Sequence, residues 1–307
     1  MEIVRRYGLH ATGVSLLHDL VSSSLYDSSR VASGHMRLTA LRIYPVKSIG
    51  GSAVEEATIQ LWGANGDRRW GLVSPAGEIV TARGHPLLLR IHAYSQRDGA
   101  VLLKAEGRPD LLVAPPVHGA VIAPVSWGPT TAADVAAGHW ISELIGTEVV
   151  LVHQPDPATR PVKPSHGGQD GDFVNLSDTA PLLLTSERSL DQLNAWVRQT
   201  AADSAEIPSE PLAMLRFRPN FVIDGEAPFA EDEWRRLRIG ELDFRYAEAC
   251  DRCVMTTYDP ETLAKGHEPI KSLARHHAWG GKVWFGIRLI PLSTGLIRIG
   301  DEVTVLE

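Results

Sequence analysis

The sequence predicts a mainly β protein with some α-helix, in the α+β class. Short runs of alternating apolar and polar residues recur at regular intervals, and turn-forming residues separate them. Only a few stretches carry the 3.6-residue period of an amphipathic helix. With 307 residues, 44% of them hydrophobic and 22% charged, the chain has the composition of a globular protein with a sizeable core.

The first strand spans residues 41–44 and ends at Pro45. The glycine-containing turn that follows, residues 45–51, holds Lys47 and Ser48, which can present hydrogen-bond donors to a phosphate. Further strands are predicted at residues 54–61, 69–74, 79–82, 87–94, 101–105 and 111–114. This spacing of short strands indicates a small antiparallel barrel or sandwich.

Helices enter the pattern after this strand-rich region. Residues 134–145 form an amphipathic helix that stops at Gly146, and a strand at residues 148–153 follows it. The long Pro/Gly-rich loop at residues 154–172 is typical of a mobile or functional segment. Ser189 and Gln192 have the spacing of a capping box at the start of a second helix.

The last third of the chain returns to strands. Residues 216–223 have a strand composition, but Pro219 lacks an N–H group and indicates a bulge or an edge. Arg218 and Asn220, two residues apart, would then share one face. Strands at residues 284–290 and 296–306 would complete a barrel.

Both cysteines lie close together, at positions 250 and 253. A thiol beside an arginine is biased toward the thiolate, which attacks carbon and binds soft metals. Three interpretations compete: a disulfide redox couple or half of a zinc site, two half-buried structural cysteines, and a single thiolate ligand to a metal cofactor. The first lacks a second cysteine pair and a nearby histidine pattern. This segment alone does not decide between the other two.

Charge and composition exclude several classes of protein. A net charge of −7 and a pI near 5.9 argue against a general nucleic-acid binder. Only two cysteines fit a reducing cytoplasm. The sequence has no apolar run of about 18 residues, so we expect no membrane span. Residues 1–35 are expected to be an added or poorly ordered N-terminal extension.

Six motifs occur in a characteristic order: Tyr44-Pro45-Val46-Lys47-Ser48, Asp67-Arg68-Arg69-Trp70, Val80-Thr81-Ala82-Arg83, Ser177-Asp178-Thr179-Ala180-Pro181, Phe217-Arg218-Pro219-Asn220 and Arg252-Cys253-Val254-Met255-Thr256-Thr257-Tyr258-Asp259-Pro260. Over residues 38–307 the sequence resembles the MOSC superfamily with its N-terminal β-barrel domain, and is similar to the mitochondrial amidoxime reducing component and its bacterial relatives. The resemblance implies an N-terminal MOSC-associated β domain at residues 36–125 and a MOSC β-barrel domain at residues 126–307. The first strand and the Lys47 loop would contribute to the cofactor site.

The resemblance also implies a molybdenum cofactor, in which a pterin dithiolene holds the metal. Cys253 would be the protein's metal ligand and Cys250 a bystander. The cofactor-binding residues implied by the motifs are Lys47, Ser48, Arg68, Thr179, Ala180, Arg218, Asn220, Asp251 and Arg252. Such a set supplies the charged, forked donors that a phosphate and a polar ring system need. The family is in addition associated with pyridoxal phosphate binding.

The activity implied is the two-electron reduction of N-hydroxylated compounds, such as amidoximes, hydroxamic acids and N-hydroxylated bases. Cys253 would act in catalysis, with Asp178 and Arg83 at the substrate mouth. A separate flavin reductase, ferredoxin or b5-type haem protein would supply electrons. The alternative is a carrier that holds the molybdenum cofactor or a persulfide on Cys253.

Two positions depart from the motifs of the family. Ala180 has no hydroxyl, so only its backbone can contact a ligand. Asp251 would place an acid beside an anionic cofactor, so we expect it to turn away, accept a backbone donor or pair with Arg252.

Overall fold

The computed structural model of the protein describes residues 35–204 and 210–307. The predicted extension, residues 1–35, lies outside the described residues except for His35. The helices in the described ranges are α1 (Val135–Ile145), α2 (Glu187–Asp203) and α3 (Ile270–His276). The strands are β1 (Met36–Ile43), β2 (Ser52–Val54), β3 (Glu56–Gln60), β4 (Gly63–Ala64), β5 (Trp70–Val73), β6 (Ile79–Val80), β7 (His92–Ser95), β8 (Val101–Lys104), β9 (Leu111–Val113), β10 (Val121–Ile122), β11 (Thr130–Ala132), β12 (Val150–His153), β13 (Leu182–Ser186), β14 (Phe221–Ile223), β15 (Arg236–Ile239), β16 (Leu242–Asp251), β17 (Ala278–Trp279), β18 (Lys282–Pro291), β19 (Gly295–Arg298) and β20 (Glu302–Val305).

The largest sheet closes on itself as a seven-stranded barrel. Its order is β13, β14, β1, β20, β15, β16 and β18, and β18 pairs again with β13. Neighbouring strands are antiparallel except for β13 and β14. Closure removes the free strand edges that would otherwise pair with other chains. The prediction of a mainly β protein with a barrel is therefore confirmed.

Strand β1 has one face in the barrel core and the other toward the rest of the molecule. A register shift between Leu38 and Ala40, where β1 pairs with β14, marks a bulge that alters the alternation. After the bulge Leu41 and Ile43 are buried among the barrel core residues. Arg42 and Tyr44 therefore share the opposite face of the chain.

A second core lies beneath a sheet of order β10, β11, β12, β5 and β6. Trp70, Leu72 and Ile141 belong to this core, and Ile141 is contributed by helix α1. Val46 and Ile49, from the loop after β1, are fully buried in the same core. The loop that carries Lys47 is thus anchored on both sides by apolar burial.

The predicted ends of the first helix are confirmed, whereas the start predicted for the second is wrong. Asp134 caps α1 by accepting a hydrogen bond from the N–H of Ala136, and Gly146 ends it in a left-handed conformation. Helix α2 begins at Glu187, and Ser189 lies inside it rather than at its cap. The Ser189 hydroxyl donates to the buried Glu231 carboxylate. The side chain predicted to cap the helix therefore makes a tertiary contact instead.

Two predicted strands are only partly present. Residues Pro86–Arg90 form a 3-10 helix, and strand β7 starts only at His92. Likewise Met214–Phe217 forms a 3-10 helix, and strand β14 starts only at Phe221. In each case a proline lies in the predicted strand or just before it, and a proline cannot donate to a β ladder.

The sheets combine strands from both sides of residue 125. Strand β10 pairs with β11, β12 pairs with β5, and β1 pairs with β14 and β20. The sheets therefore cross the predicted boundary at residue 125. The division into residues 36–125 and 126–307 stays a prediction. In the described ranges no helix has the length and apolar character needed to cross a bilayer.

Candidate functional site

A cavity of about 470 Å³ opens beside the barrel, where the loops after β1, β4 and β16 meet. Its lining contains nine lysine and arginine side chains: Arg42, Lys47, Arg68, Arg83, Arg160, Arg216, Arg218, Arg252 and Arg288. Two carboxylates, Asp178 and Asp251, also line it. Such an excess of positive charge in a concave, partly buried site favours an anionic ligand.

The cavity brings together most of the residues that the sequence motifs predicted. Its lining includes Lys47, Ser48, Arg68, Arg83, Asp178, Ala180, Arg218, Asn220, Asp251, Arg252 and Cys253. Thr179 is not part of this lining, and its hydroxyl donates to the Glu248 carboxylate. Cys250, expected to be a bystander, does line the cavity.

Lys47 is held at the cavity wall by the chain itself. Its Nζ donates to the carbonyl of Leu176 at 2.9 Å and to the carboxylate of Asp178. Burial lowers the pKa of Lys47, and Asp178 opposes this shift, while Lys47 holds the pKa of Asp178 well below its usual range. The lysine side chain is 14% exposed and the aspartate 67% exposed, so the carboxylate is the partner that can move away into solvent.

Arg68 is fixed from three directions. Its Nη1 donates to Asp67 Oδ2 at 2.6 Å and to Asn220 Oδ1 at 3.0 Å, and its Nη2 donates to the carbonyl of Arg218 at 3.3 Å. Asp67 is fully buried and also accepts the N–H of Tyr44 at 2.7 Å. One buried carboxylate therefore positions both the arginine and the end of β1.

Arg218 follows the 3-10 helix Met214–Phe217 directly. Its Nη2 donates to the carbonyl of Ile49 at 2.7 Å, which ties it to the Lys47 loop. Burial lowers the pKa of Arg218 to about 10, so the guanidinium stays cationic at neutral pH. The expected strand face shared by Arg218 and Asn220 is not formed, because the chain turns at Arg218 before β14 begins.

Three residues of the cavity wall have left-handed backbone conformations. Ser48, Arg68 and Arg218 have φ angles of 70°, 46° and 55°, and the described residues contain only five non-glycine residues with positive φ. Such conformations cost roughly 1–3 kcal/mol each and cluster at functional sites. Their concentration in this wall marks the cavity as a candidate functional site.

Tyr44 packs between the two arginines. The Arg68 and Arg218 guanidinium carbons lie 4.8 Å and 4.4 Å from its ring centroid, within the range of cation–π contact. The ring is fully buried, yet its hydroxyl has no hydrogen-bond partner among the described residues. Sequence reasoning placed Tyr44 in the first strand and in a motif, but gave it no role in the site. Alternation along β1 was the signal that could have placed it beside Arg42.

The cysteine region closes another side of the cavity. Cys250, near the end of β16, is buried, whereas Cys253 is exposed and precedes the 3-10 helix Val254–Thr257. Arg252 Nη1 donates to Cys250 Sγ at 2.8 Å and Nη2 donates to the carbonyl of Phe217 at 2.9 Å. The guanidinium next to Cys253 in sequence therefore contacts the other thiol.

Asp251 lines the cavity, but its carboxylate pairs with Lys282, a lysine outside the lining. Its carboxylate lies 3.3 Å from Lys282 Nζ, and both side chains are about half exposed. The expected pairing with Arg252 is not formed, because that guanidinium donates to Cys250 and to the carbonyl of Phe217. The pair with Lys282 is solvated, so it contributes little to stability.

Sequence reasoning missed several arginines of the cavity. Arg160, in the Pro/Gly-rich loop, donates through Nη1 to the carbonyls of Asn175 and Ser177, and burial lowers its pKa to about 10. No local pattern points to its role. Arg288 interrupts an apolar run of β18, and this interruption was a usable signal. Its Nε lies 3.5 Å from Glu248 and makes no hydrogen bond.

The described residues contain no cluster of three or more histidine, cysteine, aspartate or glutamate side chains able to hold a metal ion. Cys253 is an exposed thiol in the cavity lining, and a thiol can bind a soft metal.

The fold and site are those of a β-barrel protein with a cation-lined cavity beside an exposed thiol, an arrangement that suits an anionic ligand. Residues 35–148 match the MOSC N-terminal beta barrel domain, and residues 168–304 match the MOSC domain. The chain therefore belongs to the MOSC family.

Relatives within this family fall into two kinds. The chain is 32% identical over 294 residues to the molybdenum cofactor sulfurase of Oryza sativa subsp. japonica, covering 88% of this chain and 34% of that protein. It is 30% identical over 292 residues to the mitochondrial amidoxime-reducing component 1 of Homo sapiens, covering 87% and 82%. The mouse protein of the same name is 30% identical over 293 residues, covering 87% and 81%. The chain thus spans about a third of the sulfurase and about four fifths of the amidoxime-reducing components.

Proposed function

We propose that this chain is a molybdenum-cofactor-dependent oxidoreductase that reduces N-hydroxylated compounds. The observation that carries the proposal is a single cavity lined by Cys253 together with Lys47, Arg68 and Arg218. Relatives named for amidoxime reduction share nearly the whole described chain, which supports the reaction class.

The unsatisfied polar atoms of the structure fit an anionic cofactor. Ten buried side-chain nitrogen or oxygen atoms in the described ranges lack a hydrogen-bond partner. Half of them belong to residues that line the cavity: Arg42, Tyr44, Arg216, Arg252 and Arg288. Three of these atoms, the guanidinium Nε donors of Arg216, Arg252 and Arg288, are the ones that we assign to the cofactor, so the bound group must be rich in acceptors.

The chain's own residues would divide the work of holding this group. Lys47, Arg68 and Arg218 would bind its phosphate, because two of them are forked donors and all three are fixed in place by protein contacts. Asn220 and Ser48 would orient it, and Cys253 would be the protein's ligand to the metal. When bound, the cofactor supplies the two-electron reduction that no side chain of the cavity can perform.

The net reaction consumes two electrons and two protons for each N–O bond broken, and it yields the N–H compound and water. Asp178 and Arg83 lie in the cavity lining, and Asp178 is solvent-exposed. We place both at the substrate mouth, where they would orient the polar N-hydroxyl end. Solvent would deliver the protons, since both carboxylates that line the cavity, Asp178 and Asp251, are exposed.

The electrons for this reduction would come from a separate protein. A flavin reductase, a ferredoxin or a b5-type haem protein would serve, and a cytoplasmic location agrees with the low cysteine content. This partner is a proposal that rests on the reaction chemistry.

A second candidate function is a carrier that holds a molybdenum cofactor or a persulfide on Cys253 for delivery to another protein. The likeness to a molybdenum cofactor sulfurase favours it, as does the exposure of Cys253. A thiol at the protein surface can receive and pass on sulfur.

Molybdenum analysis combined with benzamidoxime turnover separates the two functions. The protein would be produced in a host that makes the pterin cofactor and then supplied with an artificial electron donor. A reductase holds molybdenum close to one equivalent per chain and converts benzamidoxime to benzamidine. A carrier shows no turnover and releases its cofactor to an apo-enzyme, and that result would overturn the first proposal.

A further inference from the structure

We infer a second anion-binding subsite in the cavity, formed by Arg42, Tyr44 and His92, that accepts a carboxylate or phosphate group carried by the substrate. The inference rests on the proposed reductase function for the identity of the ligand. The substrate would then be an N-hydroxylated compound with an anionic group at its far end. None of the three residues belongs to the set that the sequence motifs assigned to the cofactor.

Arg42 is the strongest element of this subsite. Its side chain lines the cavity, and it makes no hydrogen bond or ion pair with any described residue. Its Nε is buried without a partner. A buried guanidinium donor left unpaired costs free energy, so a native structure normally provides an acceptor for it. No such acceptor comes from the described chain.

Strand geometry places Tyr44 on the same side as Arg42. The two residues are separated by Ile43, whose side chain points into the barrel core. The Tyr44 hydroxyl is also buried and without a partner. One oxyanion between the guanidinium and the phenol would satisfy both orphan donors at once.

His92 completes the subsite at the cavity mouth. The backbone of Gly50 pairs with the segment around His92, and a Cβ added at Gly50 would lie 3.1 Å from His92 Nδ1. The glycine thus lets the loop after β1 approach the imidazole. Burial lowers the pKa of His92, and Arg42 lowers it further, so a neutral ring with one N–H donor is available at pH 7.

The protein contacts indicate that the anionic group bound at this subsite is part of the substrate rather than of the cofactor. Lys47, Arg68 and Arg218 are already ordered by protein acceptors, which suits a permanently bound group. Arg42 lacks such ordering contacts. Leu89, three residues before His92 in sequence, lines the same cavity and can pack on an aryl ring. An arylamidoxime with a carboxylate is therefore the substrate class that fits.

The test compares benzamidoxime with 4-carboxybenzamidoxime in the cofactor-loaded protein. In Arg42→Gln, the KM for the carboxylated substrate should rise about 10- to 100-fold, the effect of losing a charged hydrogen-bond partner. The KM for benzamidoxime should change less than two-fold. Arg37→Gln, an arginine of the same strand that donates to the carbonyl of Gly300, is the matched control and should affect neither substrate.

Further variants keep a folding defect from mimicking the effect. Arg42→Lys should retain part of the discrimination, and Tyr44→Phe should raise the KM for the carboxylated substrate alone by a few fold. Equal KM changes for both substrates would overturn the subsite. A fall in molybdenum content in Arg42→Gln would also overturn it, because Arg42 would then hold the cofactor.

A binding measurement separates this inference from the proposed function. Calorimetric titration with the expected products, benzamidine and 4-carboxybenzamidine, needs no turnover. Preference for the carboxylated compound that disappears in Arg42→Gln supports the subsite even when wild-type protein reduces no amidoxime. Absence of that preference in the wild type overturns the subsite even when benzamidoxime is reduced.

Discussion

The two sides of the cavity differ in how firmly protein contacts hold their side chains in place. The cationic side, formed by Lys47, Arg68 and Arg218, is held by contacts between residues more than 100 positions apart in sequence. The side that carries the cysteines has fewer ordering contacts. The Cys253 side chain is exposed, and Asp251 makes only a solvated ion pair. One side is preorganised before any ligand arrives, and the other can adjust to it.

This difference matches the chemistry each side would perform. A phosphate is recognised by fixed donors, whose ordering has already been completed on folding. A metal ligand has to reach a metal whose position is set by the bound organic group, so an exposed thiol on a short turn suits that role. The left-handed conformations follow the same division, since all three in the cavity wall lie on the cationic side.

The largest effect on activity is expected from a substitution of Cys253, on the cysteine side of the cavity. Cys253→Ala should abolish benzamidoxime reduction, because the metal would lose its protein ligand. The free energy of unfolding should change by less than about 0.5 kcal/mol, since the side chain is exposed. Turnover and thermal melting check both statements, with Cys253→Ser as the isosteric control. Retained activity in Cys253→Ala would remove the thiol from the reaction.

A smaller but still large effect is expected on the preorganised side. Arg218→Ala should weaken cofactor binding about 10- to 100-fold, because the anion loses a charge-assisted donor. Molybdenum content per chain measures this loss. Arg235→Ala, which removes an arginine packed on Tyr246 outside the cavity, is the control. Unchanged molybdenum content in Arg218→Ala would take Arg218 out of the site.

Cys250→Ala tests whether the buried cysteine contributes to stability or to the reaction. The thiol is buried and accepts a hydrogen bond from Arg252, so its loss should lower the free energy of unfolding by about 1–3 kcal/mol. Turnover by the folded protein should remain above that of Cys253→Ala. Equal loss of activity in both variants would restore the disulfide interpretation of the cysteine pair. Chemical denaturation and turnover provide the two readouts.

The smallest effect concerns the ion pair between Asp178 and Lys47. Asp178→Asn removes a carboxylate that competes with an anionic ligand, so affinity for inorganic phosphate should rise about two- to five-fold. Because the pKa of Asp178 is depressed in the folded state, its contribution to stability is present above the ordinary pKa of about 3.9 and is lost as the pH falls below it.

Two measurements check this last prediction. Phosphate titration by calorimetry reports the affinity, and melting between pH 3 and 7 reports the stability. The difference in melting temperature between wild type and Asp178→Asn should shrink as the pH falls from 4 to 3. Weaker phosphate binding in the variant would contradict the competition between carboxylate and ligand.

Sequence patterns predicted the elements whose character is local. Helix α1 was predicted with its bounds and its glycine stop, because Asp134 and Gly146 act within one turn of the helix. Arg218 was predicted on a strand and lies instead at a left-handed turn, because Pro219 and the contact with Ile49 decide the backbone there. The motifs selected the right arginine, but its conformation depends on a partner 169 residues away.

Arg252 also shows that sequence patterns do not determine which residues a side chain contacts. Its place beside Cys253 in sequence predicted support for that thiol, yet its side chain contacts Cys250 and the carbonyl of Phe217. Neighbouring residues in an extended segment point to opposite faces, so adjacency along the chain does not place two side chains together.

By itself the sequence determined the mainly β class, the amphipathic helix α1 and the kinds of residue available for an anion site, because strand alternation, caps and side-chain charge are properties of short segments. Only the tertiary structure decided which cations face the cavity and which of them keep an unpaired donor. Barrel closure brings the loop after β1 against segments more than 100 residues away, and burial then determines which hydrogen bonds each arginine can make.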